Sequence, residues 1–364
     1  MRKIRKTHSK NGKYRFSRKQ FILSALLISI LGAGAWVMYE VLYPQSTDEW
    51  FESTAVNTHA VSLPEDDAPH QAAMEWWYYN GHLNTESGKQ YSFHYTVFLV
   101  NNVVYHMVSH ASVNEHQTGK HYTAQRRTAG NPSIKKANGF EFTQGDWLMR
   151  GSNGNDKLKI ITDEFSLDLN LTNTLPPIFH VGNGIISMHG AGDSYYYSRS
   201  RMAASGVIKI GGISEKVTGI SWFDHQWGDF SVGVLKWDWF SLQLNDGMDV
   251  MIYQLRDKKT NEPILYTGSI SQNGNTETLS ATDFKVVPGQ KWTSNKSSIV
   301  YPMEWLIDIP SRNIHISVKS INENNEFDAM LTTYNIYWEG AVKVQGSHTG
   351  LGFMELYYMD NNKH

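Results

Sequence analysis

The sequence predicts an all-β protein of two consecutive antiparallel β-barrels, preceded by one N-terminal transmembrane helix. From about residue 72 onward, short runs of aromatic and β-branched residues alternate with Gly, Asn and Asp, which is typical of strands joined by turns. That part of the chain shows no amphipathic pattern long enough for a stable helix. Its roughly 290 residues are too many for one eight-stranded barrel, and no propeller-type repeat is visible.

The N-terminal residues are expected to anchor the protein in a membrane. Residues 1–20 carry nine Lys and Arg side chains and no acid, whereas all 35 acidic residues follow. The stretch from Phe21 to Tyr39 has no charge and is long enough to cross a hydrocarbon core of about 30 Å. Because basic flanks stay in the cytoplasm, we expect a cytoplasmic segment at 1–20, a signal anchor at 21–42, and a periplasmic body held at the bacterial inner membrane. Cleavage near Ala33-Gly34-Ala35 would instead give a secreted protein.

The rest of the chain divides into a linker and two predicted barrels. Residues 43–70 contain three prolines and the acidic run Glu65-Asp66-Asp67, so we expect a polar linker there. The N-terminal barrel is expected at 71–232 and the C-terminal barrel at 233–364. The acidic body argues against nucleic acid as a partner. The absence of cysteine excludes disulfides, a thiol nucleophile and a lipoprotein anchor.

The first motif that bears on function is the aromatic run at residues 75–83. In a strand, Glu75 and Trp77 share one face, whereas Trp76 and Tyr78 share the other. Such aromatic density lines a ligand pocket or fills a core. The alternative is an ordinary barrel strand in which Glu75 bonds a backbone or arginine group. The predicted ligand-binding residues are Glu75, Trp76, Trp77, Tyr78 and, from a later strand, Tyr253.

The second motif, at residues 222–229, supplies the acid–base candidates. When it is extended, His225 lies between Phe223 and Trp227 on one face, and Asp224 points to the other. Histidine titrates near neutral pH, and the face of a tryptophan stabilises a cation. The alternative is a histidine with satisfied hydrogen bonds at a barrel mouth, with Asp224 bonding the backbone of the next turn. The predicted catalytic residues are Asp224, His225 and Trp227.

Two further runs complete the pattern. Residues 337–344 continue through 350–357 as an expected closing hairpin with a structural role. The run at 195–199, followed by a strand around 204–206, leads into the second motif. In this order and at these separations, the motifs resemble those of the AttH-like and carotenoid 1,2-hydratase (hydroxyneurosporene synthase) family of lipocalin-like proteins. The resemblance covers about residues 70–361.

This resemblance implies two lipocalin-like, calycin-type barrels with the Asp-His run near their junction. Members of the family include cofactor-free carotenoid hydratases, which add water to an isoprenoid double bond. Others are predicted secreted hydrolases, and fungal relatives promote Diels–Alder cyclisation. Two positions depart from the pattern, since Gln226 replaces a common Glu and Leu255 follows Tyr253 where the hydratases have an acid. Because neither side chain titrates, these departures argue against carotenoid hydration itself.

The 15 histidines predict no metal site. If Asn101 and Asn102 form a two-residue hairpin loop, His94 points to the opposite face of the sheet from His106 and His110. The latter two lie about 13 Å apart along one strand, too far to share an ion. The sequence also lacks an HExxH pair, a GxSxG elbow, a P-loop and a dinucleotide fingerprint. We therefore expect no metal and no cofactor.

Together these patterns predict an anchored, extracytoplasmic protein that binds an extended hydrophobic ligand, either a lipid or an isoprenoid. In the enzyme hypothesis, Asp224 or His225 protonates an alkene, and Trp77 and Trp227 stabilise the cation. That hypothesis requires Asp224 or His225 to face a cavity wide enough for a polyene. In the alternative hypothesis, the protein is a non-catalytic lipid carrier or an accessory protein of an export system with an ABC transporter.

Overall fold

The computed structural model describes residues 60–101, 104–130 and 139–359. The predicted cytoplasmic segment and signal anchor lie outside these residues, and no helix within them is long and apolar enough to cross a membrane. The prediction of an all-β body is confirmed, because the described residues form 24 strands and only five short 3₁₀ helices. Those helices span Glu65–Asp67, His180–Gly182, His189–Ala191, Val232–Val234 and Pro310–Arg312.

The first barrel is a curled antiparallel sheet of twelve strands. In chain order they are β1 (Met74–Thr85), β2 (Gln90–Asn101), β3 (Tyr105–Glu115), β4 (Lys120–Ala129), β5 (Phe140–Gln144), β6 (Trp147–Ser152), β7 (Asn155–Ile161), β8 (Phe165–Asn173), β9 (Ile178–Phe179), β10 (Ile185–Ser187), β11 (Asp193–Ile210) and β12 (Ile213–Gly228). They pair in the order β4-β3-β2-β1-β12-β11-β8-β7-β6-β5, and the short β9 and β10 pair with β11. The two aromatic motifs therefore lie side by side, because β1 pairs along its whole length with residues 217–228 of β12.

The second barrel is a curled sheet of ten strands with a separate two-stranded ribbon. In chain order the strands are β13 (Leu235–Leu244), β14 (Met248–Asp257), β15 (Pro263–Gln272), β16 (Asn275–Leu279), β17 (Lys285–Pro288), β18 (Lys291–Thr293), β19 (Val300–Pro302), β20 (Glu304–Ile309), β21 (Ile314–Ser320), β22 (Glu326–Asp328), β23 (Ile336–Gly346) and β24 (Gly350–Tyr357). Their order is β16-β15-β14-β13-β24-β23-β21-β20-β17, with β22 on β23, and β18 and β19 form the ribbon.

Among the described residues, three of the four buried apolar clusters show how the two barrels pack. Trp77 and Phe223 belong to the interior of the first barrel, and Trp338 belongs to the interior of the second. A third layer lies between the barrels and includes Tyr78 from β1, Trp222 from β12 and Trp239 from β13. Since side chains alternate along a strand, β1 and β12 present one face to their own barrel and the other face to the second barrel.

The hairpin between β2 and β3 has a different register from the predicted one. Asn101 pairs with Tyr105, and His94 pairs with Ser112 rather than with Ser109. A shift by an odd number of residues moves every side chain to the opposite face. His94 therefore shares a face with His110, and the prediction that they point apart is wrong. Both histidines contact residues of the second barrel.

The described end of the predicted linker packs against the first barrel. Val61 joins the interior core, and Asp67 is fully buried. The carboxylate of Asp67 accepts two hydrogen bonds from Arg199 Nη2, at 2.8 and 3.1 Å. Residues 60–70, expected as part of a polar linker, thus include an acid that is buried against the guanidinium of Arg199.

Candidate active site

Strand alternation divides the predicted site residues into two clusters. His225 and Trp227 of β12 point into the first barrel. Asp224 and Trp222 lie on the opposite face of the same strand and point toward the second barrel. The predicted catalytic trio is thus not brought together on one surface. The predicted ligand-binding set is divided in the same way: Glu75 and Trp77 lie inside the first barrel, and Trp76, Tyr78 and Tyr253 lie between the barrels.

The cluster inside the first barrel is centred on Glu75. Its Oε1 lies 2.8 Å from His225 Nε2 and 2.7 Å from His70 Nδ1. Aromatic rings hold both imidazoles: Trp77 stacks on His225 with 4.3 Å between ring centroids, and Trp227 stacks on His70 at 4.1 Å. Desolvation lowers the pKa of His225, even though the hydrogen bond to Glu75 works in the opposite direction. This imidazole is therefore held in place by a carboxylate within a packed aromatic interior.

The buried ion pair of Asp67 and Arg199 is connected to this cluster through Tyr197. Tyr197 Oη lies 3.4 Å from His225 Nδ1 and donates a hydrogen bond to Asp67. Arg199 pairs with the same carboxylate, and the backbone amide of Asn153 donates to it at 2.6 Å. The sequence predicts no site role for His70, Asp67 or Arg199, because His70 and Asp67 lie in the expected linker and Arg199 ends the run at 195–199 that leads into the second motif.

Asp224 lies between the barrels in a cage of hydrogen-bond donors. Its Oδ1 accepts from Trp222 Nε1 at 2.7 Å and from Ser198, and its Oδ2 accepts from Tyr196 Oη at 2.8 Å. Tyr196 in turn accepts from Trp239 Nε1 of the second barrel at 3.0 Å. Burial raises the pKa of Asp224 to about 7, against the opposing effect of these donors. Every carboxyl oxygen of Asp224 is thus already bonded to protein.

A second buried acid, Glu339 of β23, also faces the junction. Tyr78 Oη donates to its Oε1 at 2.5 Å, and His94 Nδ1 lies 3.2 Å from its Oε2. Its partner across the β23–β24 pair is Glu355, whose carboxyl accepts from Trp237 Nε1 at 3.0 Å. Burial and the neighbouring Glu355 hold the pKa of Glu339 well above its ordinary value. Because two adjacent buried carboxyls cannot both ionise readily, this arrangement favours the protonated form of Glu339.

Glu339 also lines a cavity between the barrels. This cavity is a narrow, partly open gap that leaves no room for a water molecule. Its walls are Ser92, Phe93, Ser112, Asn114, His121, Asn325, Glu339, Gly340 and Phe353. Within the described part of the chain, His121 Nε2 and the nearby His94 Nε2 have no hydrogen-bond partner. Neither Asp224 nor His225 belongs to these walls.

The acid in the cavity wall, Glu339, thus lies beside a base, His94, which is not itself a wall residue. Burial keeps the pKa of His94 well below its ordinary value, so that its imidazole is neutral. A neutral carboxyl can give a proton, and a neutral imidazole 3.2 Å away can accept one. This pairing suits the addition or elimination of water. The two positions that depart from the hydratase pattern lie elsewhere: Leu255 packs in the apolar layer between the barrels, and Gln226 Nε2 has no partner among the described residues.

Asp224 predicts a measurable pH dependence of stability. Its pKa rises from an ordinary 3.8 to about 7 on folding. Its contribution to stability is therefore complete below about pH 4 and is lost as the pH rises through about 7. At about 1.4 kcal/mol per pKa unit, the loss between about pH 5 and about pH 8 is roughly 2–3 kcal/mol.

The side chain at position 224 cannot titrate in Asp224→Asn. Between about pH 5 and about pH 8, the free energy of unfolding of this variant should therefore fall by roughly 2–3 kcal/mol less than that of the wild type. Urea unfolding at both pH values measures the difference. The exposed Asp163→Asn serves as the control and should behave like the wild type. An equal loss in wild type and Asp224→Asn would contradict the assignment.

Comparison with known proteins places this architecture in a family. The profile of the AttH-like family matches residues 54–358. A crystal structure of a protein assigned as AttH from Nitrosomonas europaea has a TM-score of 0.76 at 26% identity, covering 83% of this chain and 98% of that chain. Kievitone hydratase from Nectria haematococca shares the fold, with a TM-score of 0.69 at 17% identity over 84% of this chain and 94% of that chain.

A curated relative is similar in sequence. Dehydratase asqC of Emericella nidulans is 24% identical over 252 residues, which cover 65% of this chain and 70% of the relative. The two curled antiparallel barrels are thus the lipocalin-like fold of AttH proteins. Since the family profile matches most of the chain, this protein belongs to the AttH-like family.

Proposed function

We propose that this protein is a cofactor-free lyase that adds water to, or removes water from, a hydrophobic molecule bound between its barrels. The observation that carries the proposal is the buried carboxyl of Glu339 in the wall of the cavity, with its Oε2 3.2 Å from His94 Nδ1. Burial and Glu355 raise the pKa of that carboxyl, which favours its protonated form. A hydratase and a dehydratase among the similar proteins support the same class of reaction.

In the direction of hydration, Glu339 transfers its proton to one carbon of a double bond. A C–H bond forms, the π pair is consumed, and the adjacent carbon becomes electron-deficient. A water molecule forms the new C–O bond and loses a proton to His94. That proton returns to Glu339 across the 3.2 Å contact, so that the acid is regenerated. Tyr78 donates to the carboxylate during the interval in which it is charged. Dehydration is the reverse sequence.

This mechanism changes the roles expected from the sequence. Asp224 has all its oxygens bonded to protein, and His225 packs within the first barrel. We therefore propose Glu339 as the proton donor in place of Asp224 or His225. Trp76, Tyr78 and Tyr253 stay proposed contacts of the hydrophobic ligand, although none of them lines this cavity. The cavity leaves no room for a water molecule, so a ligand can bind there only if its walls move apart.

We further propose that the body is held on the periplasmic side of a bacterial inner membrane by residues 21–42. The proposal rests on the uncharged stretch and on the basic residues before it. Alkaline carbonate extraction of membranes should leave the full chain in the pellet, and protease added to spheroplasts should digest the body. Release of the body into the soluble fraction would instead support signal cleavage.

Mass spectrometry of the lipid extract from purified protein tests the proposed function. We expect a hydrophobic molecule to co-purify together with its counterpart that differs by one water. Incubating the extracted molecule with fresh protein should interconvert the two forms. A bound molecule that is recovered unchanged after incubation would contradict the lyase and favour the carrier.

A further inference from the structure

The cluster around Glu75 has the arrangement of a metal site, and it is separate from the cavity of Glu339. We propose that His70 Nδ1, His225 Nε2 and Glu75 Oε1 bind a divalent transition-metal ion of the zinc type. These three atoms all lie within 4.8 Å of one another. The histidines that the sequence offers as candidate ligands, His94, His106, His110, His116 and His121, do not include His70.

The donor set fits zinc in number and kind. Two imidazole nitrogens and one carboxylate oxygen are ligands that Zn²⁺ accepts, at about 2.0–2.2 Å from the ion. Both nitrogens already converge on the same oxygen, at 2.7 and 2.8 Å. An ion among the three atoms would require each of these two N···O distances to widen by about 0.5 Å, to roughly 3.3 Å for tetrahedral geometry. The fourth position would be left to water.

An outer shell of contacts fixes both imidazoles. His70 Nε2 lies 3.3 Å from Asp66 Oδ1, and His225 Nδ1 lies 3.4 Å from Tyr197 Oη. Metal-binding histidines commonly use the second ring nitrogen in this way, which orients the ring and selects its tautomer. The stacking of Trp77 on His225 and of Trp227 on His70 restricts ring rotation further.

The three ligands come from three separate elements. Glu75 lies on β1, His225 lies on β12, and His70 lies on the segment that precedes β1. The side chains of Glu75 and His225 are almost fully buried, whereas that of His70 is 24% exposed. An ion can therefore reach the site from the His70 side. Once bound, it would fasten the segment at residues 60–70 to two neighbouring strands of the first barrel.

Isothermal titration of the chelator-treated full chain with Zn²⁺ tests the proposal. We expect one ion per chain in the wild type, with affinity reduced by more than about 100-fold in both His70→Ala and Glu75→Gln. Saturating Zn²⁺ should also raise the melting temperature of the wild type and leave that of His70→Ala unchanged. His70→Ala removes a partly exposed side chain, so this variant keeps the test valid if Glu75→Gln does not fold.

His315→Ala is the matched control, since this exposed histidine also lies beside a carboxylate, that of Asp308. Its substitution should leave the affinity for Zn²⁺ unchanged. The proposal is overturned if the wild type binds no stoichiometric ion. It is also overturned if His70→Ala binds Zn²⁺ as tightly as the wild type. In that case His70, Glu75 and His225 form hydrogen bonds with one another but no metal site.

Discussion

Replacing Glu339 by glutamine is expected to slow the interconversion of the bound ligand and its hydrated form by about 100- to 10,000-fold. Glutamine retains the size of the side chain and can still accept a hydrogen bond from Tyr78, but it has no carboxyl proton to give. Ligand binding should therefore change little. The measurement is the rate of interconversion at saturating ligand, together with the amount of ligand that co-purifies with the variant.

Glu326→Gln is the matched control for that variant. Glu326 is a buried glutamate of the same barrel, and it accepts hydrogen bonds from Ser294 at 2.7 Å and from Tyr301 at 3.1 Å. It does not belong to the walls of the cavity. We expect Glu326→Gln to retain the wild-type rate. Equal rates in wild type and Glu339→Gln would remove Glu339 from the mechanism.

Asp67→Asn is expected to destabilise the fold by about 3–5 kcal/mol. Asp67 is fully buried and accepts hydrogen bonds from Arg199, Tyr197 and the amide of Asn153. Asparagine preserves the shape but leaves the guanidinium of Arg199 in the barrel without its compensating charge. Since the pKa of Arg199 is raised above its ordinary value, that side chain stays charged. Equilibrium unfolding in urea measures the loss.

An exposed ion pair provides the contrast for Asp67→Asn. Lys89 and Glu215 lie 2.7 Å apart, and the side chain of Lys89 is 42% exposed. Lys89→Met should change the free energy of unfolding by less than about 1 kcal/mol. If Asp67→Asn costs no more than Lys89→Met, residues 60–70 do not contribute to the stability of the barrel.

The parts of the fold that could be predicted are those that depend on local alternation. The run at 75–83 correctly predicts a strand with Glu75 and Trp77 on one face, because side-chain period is a property of the sequence alone. The hairpin after Asn101 is less predictable, since its register depends on the length of the loop. The expected register is wrong by an odd number of residues, so it places His94 on the opposite face of the sheet from His110, whereas the two histidines share a face.

The candidate site could be predicted only in part, because its members meet through the docking of two barrels. His94 and Glu339 are 245 positions apart, and nothing near either residue in the sequence indicates the other. Glu339 lies in a run that reads as a structural hairpin. Asp67 and His70 follow prolines in an acidic stretch, which is also the composition of a linker. A signal that could indicate such a site is a histidine or acid in a strand with aromatic residues on both faces, on the face turned away from the strand's own barrel.

Incorporation of labelled oxygen tests the central claim most directly. The ligand that co-purifies with the full chain is incubated with wild-type protein in water enriched in heavy oxygen and then analysed by mass spectrometry. If water adds at the junction of the barrels, the hydrated form acquires the label with wild type and with Glu326→Gln, and it acquires almost none with Glu339→Gln. A ligand that binds the wild type but remains unlabelled would contradict the account and identify the protein as a carrier.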